Sequence, residues 1–193
     1  MSGLLYDQHI SNSFLYLSKY YYHKNHKILI DVAQLIKEQK LNYVIYITIS
    51  SLTADEKKFM QMVRNLGLGK IIVNLGPIPF DEINSVYFSV HAAIIPSFLE
   101  SFGLTYLEAL KNEKPVLAAN LDFAKETLKD SAFYFDPFDS ESILYAMNLS
   151  LNKEENQKKM VVGKLIVENW PTWDDIGLKY YKLIKTSSKS ALE

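Results

Sequence analysis

Ile95-Pro-Ser-Phe-Leu-Glu-Ser-Phe-Gly-Leu-Thr-Tyr-Leu-Glu-Ala-Leu110 joins the end of an apolar strand to the start of a helix through a tight, glycine-bearing turn. Glu100 and Glu108 bracket seven residues of it. Gly103 lets the backbone come close to whatever sits above the turn, and Glu108 lies one helical turn beyond Leu104, on the same side of the helix. Free N–H groups and the helix dipole favour an anion at such a start, while the carboxylates call for hydroxyl donors. A nucleotide-sugar carries both. Taken alone, the two glutamates serve equally well as a helix-surface residue and a solvated loop residue.

Working outward, short β-branched and aromatic runs alternate with amphipathic segments. Phe14–Leu17, Tyr43–Ile49, Lys70–Val73, Ala92–Ile95, Pro115–Ala118 and Ala132–Phe135 read as strands, and their continuous apolar character fits strands buried on both faces. His26–Gln39 places Ile28, Leu29, Val32, Leu35 and Ile36 at helical spacing behind Asn25, which stands where an N-cap belongs. Lys57–Leu66, Phe80–Phe88, Thr105–Asn112 and Ser140–Leu149 supply further helices. The alternation predicts an α/β fold, a Rossmann-like doubly wound parallel sheet of about six strands, with ligands outside the strand C-termini. After it, Lys153–Asn169 continues as a charged amphipathic helix. Trp170-Pro-Thr-Trp173 breaks that helix, and Thr172 caps a last one over Trp173–Ile184.

The domain reading is an N-terminal segment over residues 1–13, one domain over 14–186 and a frayed tail over 187–193. Met-Ser-Gly at the start and Leu192-Glu193 at the end read as expression scars. The 193 residues suffice for a single substantial core, and a net charge of -1 encodes no global pull toward nucleic acid or anionic membrane. There is no cysteine, so disulfides and thiolate metal sites are excluded. Neither a signal peptide nor a membrane-spanning run is legible, and the expectation is a cytoplasmic protein that meets a membrane at most peripherally, at its inner face.

Two more loops have chemical character. Ser18-Lys-Tyr-Tyr-Tyr-His-Lys-Asn25 follows the first strand, and Lys19 and Lys24 flank its aromatics. It reads either as an exposed basic loop with packed tyrosines or as two ammonium groups that neutralise a diphosphate at the sheet edge. His23 and His26 lack partners at ligand spacing, and no metal is assigned. Asn74-Leu-Gly-Pro-Ile-Pro-Phe80 follows the third strand, with Asp81 as the cap of the next helix. Its Gly76 and stiff Pro-Ile78-Pro read first as a rigid connection and second as a wall for a flat base.

Taken in order, Pro96-Ser97, Glu100-Ser-Phe-Gly-Leu104, Glu108-Ala-Leu110, Lys114-Pro-Val116, Asn120-Leu-Asp-Phe-Ala124, Glu126 and Phe135-Asp-Pro137 resemble the group 1 (family 4) glycosyltransferases of the GT-B fold. His23-Lys-Asn25 and Trp173 fit the same pattern, so the likeness runs from about Phe14 to Lys182. It is a likeness to the C-terminal, donor-binding half only.

The resemblance implies that Glu108 holds ribose hydroxyls and Glu100, as the catalytic position, faces the donor sugar. It further implies that the backbone of Phe102, Gly103 and Leu104 meets the diphosphate and that Lys19 and Lys24 neutralise it; Gly76 and Ile78, from the loop reading above, are the candidates to border the nucleotide. The family usually carries arginine at the position of Lys19, and lysine keeps the charge without the bidentate fork. Asn112-Glu113 stands where Cys-Gly is common, and His91 where aspartate is common. Glu126 and Asp136 match the pattern as well, as helix or turn stabilisers.

The implied reaction is retaining transfer of a hexose from a UDP-, GDP- or ADP-sugar to a glycan or lipid-linked acceptor, without a bound metal or other cofactor, in cell-surface polysaccharide synthesis. The acceptor would come through a missing N-terminal domain, without which this chain alone is catalytically incomplete. The alternative is a non-catalytic nucleotide-sugar binding or sensing module.

Overall fold

A computed structural model describes residues 10–190. Its frame is a six-stranded, wholly parallel sheet: β1 Ile10–Tyr16, β2 Val44–Ile47, β3 Ile72–Asn74, β4 Val90–Ile95, β5 Val116–Ala119 and β6 Ala132–Phe135. The strand order is β3-β2-β1-β4-β5-β6, so the chain direction across the sheet reverses between β1 and β4. Every strand of the sequence reading is present, all but β6 with shifted ends. β1 starts four residues before Phe14, and β2 is trimmed to Val44–Ile47.

The helices are α1 Ile28–Glu38, α2 Ala54–Asn65, α3 Ile83–Ser89, α4 Leu104–Lys111, α5 Asp122–Leu128, α6 Ser140–Ser150, α7 Lys153–Glu168 and α8 Trp173–Ser190. α1 and α6 pack together on one face of the sheet, and α4 and α7 on the other. α3 stands beside α4, where Tyr87 Oη donates to Thr105 O and the Asn112 amide donates to Asn84. The core between the layers is almost wholly apolar. Phe14, Leu29, Ile36, Ile45, Ile47, Ile94, Val116, Leu117, Leu128, Ile143 and Met147 are all but inaccessible to solvent. Both faces are covered, which is why the strands read as unbroken apolar runs.

Several local expectations need correction. Asn25 is not the N-cap of α1. It is the left-handed end of a 3₁₀ turn over Tyr22–Lys24 (φ 55°), and α1 begins after Lys27 without a side-chain cap. Asn25 tolerates that φ better than most side chains, and its amide is used elsewhere. Asp81 does not cap α3 either, because it lies inside a second 3₁₀ turn, Phe80–Glu82. The helix α5 in the β5–β6 crossover was not expected from periodicity: its seven residues are too few to show one. Thr172 does cap α8, accepting from Asp175 N at 3.2 Å. Glu113 holds φ 54°, so the position where the resembling family often carries glycine keeps the left-handed backbone without it. Met-Ser-Gly and Leu192-Glu193, read as expression scars, lie outside the described residues.

Candidate active site at the sheet switch point

Loops leaving β1 and β4 diverge to opposite faces of the sheet and open a crevice above the strand C-termini. The two loops are fastened to each other. Phe98 N donates to His23 O at 2.7 Å, and the Asn25 amide donates to Pro96 O at 3.1 Å and to Pro137 O at 2.8 Å. Tyr16, at the buried end of β1, donates to Lys24 O at 2.6 Å and shares a 2.9 Å hydrogen bond with Ser97, itself fully buried. Burial raises the Tyr16 phenol far above its ordinary pKa, so it stays a neutral donor. The loop after β6 joins through the stacked rings of Phe98 and Phe138, 4.8 Å apart.

On this base the structure brings Lys24 and Glu100 together. The Lys24 ammonium lies 2.7 Å from both carboxylate oxygens, with side chains only 18% and 11% exposed. Glu108 is on the second turn of α4. Its carboxylate has no hydrogen-bond partner among the described residues, and half-burial raises its pKa. Lys19 is exposed on the β1 loop and makes no ion pair among the described residues.

Gly103 is the N-cap of α4, with φ 60°. A Cβ built there would stand 2.4 Å from the Tyr106 ring, so both conformation and space demand glycine. Phe102 and Leu104 flank it with largely exposed side chains, leaving their backbone at the crevice. Gly76 (φ 77°) and Ile78 are on the β3–α3 loop, where Gly76 N donates to the Asn74 side chain at 3.1 Å. Among the described residues they make no hydrogen bond to the Lys24–Glu100 pair. β2 and β1 separate β3 from β4, roughly 14 Å at three strand spacings.

Among the described residues, no group of three or more histidines and carboxylates is placed to hold a metal. A hollow of about 440 Å³ between α4 and α7, lined by Leu110, Lys111, Met160, Val161 and Lys164, contains none of these site residues.

Some residues that build the site carry no chemical signal in the sequence. Tyr16 reads as one more apolar strand residue, and Asn25 as a cap. A side-chain amide at a left-handed loop position is the only cue that Asn25 serves the loop and not the helix. His26 sits between Tyr16 and Tyr20, ring centroids 4.6 and 5.0 Å away, with neither nitrogen hydrogen-bonded among the described residues. Burial, aided by the Lys24 charge, lowers its pKa to about 3 and keeps it neutral.

Residues 8–162 match the family model for glycosyl transferases group 1. The chain belongs to the group 1 glycosyltransferases. Over 133 residues it is 29% identical to the O-antigen chain mannosyltransferase RfbU of Salmonella typhimurium, an alignment covering 68% of this chain and 36% of that protein. The solved sucrose-phosphate synthase of Thermosynechococcus elongatus superposes with a TM-score of 0.79 at 19% identity, over 96% of this chain and 47% of that one. Anabaena HepE, solved in complex with UDP and glucose, gives 0.72 at 20% identity, over 92% and 48%. The group 1 chain described here thus spans less than half the length of these relatives. Its sheet is the Rossmann-like kind of the GT-B enzymes, as the resemblance implied.

Proposed function

We propose that this chain is the half of a retaining hexosyltransferase that holds a nucleotide-sugar donor in the β1/β4 crevice, for transfer to a glycan or lipid-linked acceptor in cell-surface polysaccharide synthesis. The observation that carries this reading is the convergence of Lys24, Glu100 and the N-terminus of α4, with Glu108 one turn further on, at the switch point. Glu108 is an unpaired, half-desolvated carboxylate, and ribose hydroxyls would supply the donors it lacks. Glu100 would receive hydroxyls of the sugar. The diphosphate would lie over the N–H groups at Phe102, Gly103 and Leu104, with Lys19 and Lys24 at its flanks, and this positive surround stabilises the charge that develops as the sugar departs. Gly76 and Ile78 would border the base. The acceptor would come from a further domain of the kind that lengthens the relatives, and the setting would be the cytoplasm. Among the described residues no helix is long and apolar enough to cross a membrane.

Thermal unfolding in the presence of UDP-, GDP- and ADP-sugars tests the reading. A cognate donor at a hundredfold excess over its Kd should raise Tm by roughly 5–10 °C. Glu108→Ala should abolish the rise. A flat response to the whole panel, or undiminished binding by Glu108→Ala, would sink the assignment.

A further inference from the structure

A base bordered by Gly76 and Ile78 is read by whatever hydrogen-bonding groups their loop has left over. From Leu75 to Pro79 the main chain has five residues, two of them proline, and so only three N–H groups. Two of the three are already spent. Leu75 N donates to Ile47 O at 2.9 Å, and Gly76 N donates to the Asn74 side chain at 3.1 Å. Asn74 is itself fixed, since its amide donates to Ile49 O and to the Ser51 hydroxyl, each at 3.0 Å. Ile78 N–H is left as the one donor of the segment without a partner among the described residues, whereas the carbonyls of Gly76, Pro77 and Ile78 all remain open.

Nucleobases differ in what they ask of such a segment. Guanine presents two donors, at N1 and N2, beside one acceptor, O6. Uracil presents one donor, N3, between two acceptors, O2 and O4, and adenine pairs one donor with one acceptor. A segment rich in carbonyls with a single N–H matches guanine in both kinds, Ile78 N–H to O6 and carbonyls to N1 and N2. With uracil it forms two bonds and leaves one acceptor of the base unanswered. Adenine also gains two.

We infer that the β3–α3 loop reads guanine, so that the donor is a GDP-sugar, and that Asn74 sets this choice by occupying the Gly76 N–H that would otherwise answer a second uracil acceptor. The inference rests on the donor-site reading above, and the two can fail separately.

Calorimetric titration of the chain with GDP, UDP and ADP measures the preference. GDP should bind about tenfold or more tightly than either of the others, the difference expected for one further matched hydrogen bond. Asn74→Ala releases the Gly76 N–H and should cut the GDP-over-UDP ratio to within about threefold. Asn74→Asp, whose carboxylate still accepts from Gly76 N, should keep most of it. Glu56→Ala loosens the neighbouring β2–α2 loop by removing the partner of Ser50, Leu52 and Thr53, and it touches neither Asn74 nor Gly76. It should leave the ratio unchanged, which separates recognition of the base from loop order alone.

UDP or ADP bound as tightly as GDP would overturn the inference while leaving the donor site intact. A GDP preference that survives Asn74→Ala undiminished would overturn it too. Should Asn74→Ala fail to fold, Pro77→Ala gives the segment a second N–H at another place and makes the same comparison. Absence of binding by all three nucleotides would remove the donor site itself, and the inference with it.

Discussion

Glu56 and Glu108 both lie on helices that follow central strands of the same sheet, yet they live in opposite surroundings. Glu56, on the first turn of α2, accepts hydrogen bonds from the Ser50 and Thr53 backbones, from Leu52 N and from the Ser50 hydroxyl, and with Thr53 it completes a capping box. Burial opposes its charge, but these bonds outweigh it and hold its pKa at about 2. Glu108 on α4 has none of this and is pushed the other way. A carboxylate whose lone pairs are filled by its own loop belongs to the fold. One left half-desolvated with empty lone pairs is available to a ligand, as the proposed donor site requires of Glu108.

The contrast can be broken or sharpened at three places. The largest effect is expected at Gly103: Gly103→Ala forces a left-handed alanine against the Tyr106 ring and should cost roughly 2–5 kcal/mol by denaturant unfolding, with the α4 start displaced. Next, Glu56→Ala should cost about 2–3 kcal/mol, because it orphans the loop's donors, without changing nucleotide affinity. Glu108→Ala should leave stability within about 0.5 kcal/mol. Equal costs at the two glutamates would erase the distinction between a fold carboxylate and a ligand carboxylate.

The smallest and most graded effect is the pH dependence of Tm. His26 falls from 6.5 to about 3 on folding, so its contribution is intact above pH 6.5 and drains away as pH drops toward 3, where the unfolded chain takes up the proton. Glu56, lowered from 4.5 to about 2, adds a second loss below pH 4.5. Glu108, raised above 4.5, acts with the opposite sign, and protonating it as pH falls relieves the folded state. His26→Leu should therefore flatten the Tm profile between pH 6.5 and 4.5, while Glu108→Gln should steepen it around and above pH 4.5.

Much of the fold was legible because buried parallel strands announce themselves as β-branched runs. All six were placed, with ends wrong by up to four residues where the pairing register, invisible in one strand, decides the boundary. α5 escaped because two turns give no period. The turn itself was legible, with Gly103 at the start of α4 and Glu100 and Glu108 on either side of it. The struts beneath them were not. Tyr16, Ser97 and Asn25 act through contacts across 81, 71 and 112 residues of chain, and nothing local in the sequence records such a distance. Glu56 is illegible for the same kind of reason: its donors are mostly backbone N–H groups, which every residue but proline has.

The strand order also sets a schedule for synthesis. β1, the strand that carries Tyr16 and leads into the Lys24 loop, pairs with β2 on one side and β4 on the other, and Ile10 lies opposite Val90. At a ribosomal pace of 5–20 residues per second, about 4–16 s separate the making of those two partners. Through that interval the middle of the sheet is an open edge. The core strand on which the crevice is built thus waits for its second partner longer than β2, β4 or β5 waits for theirs.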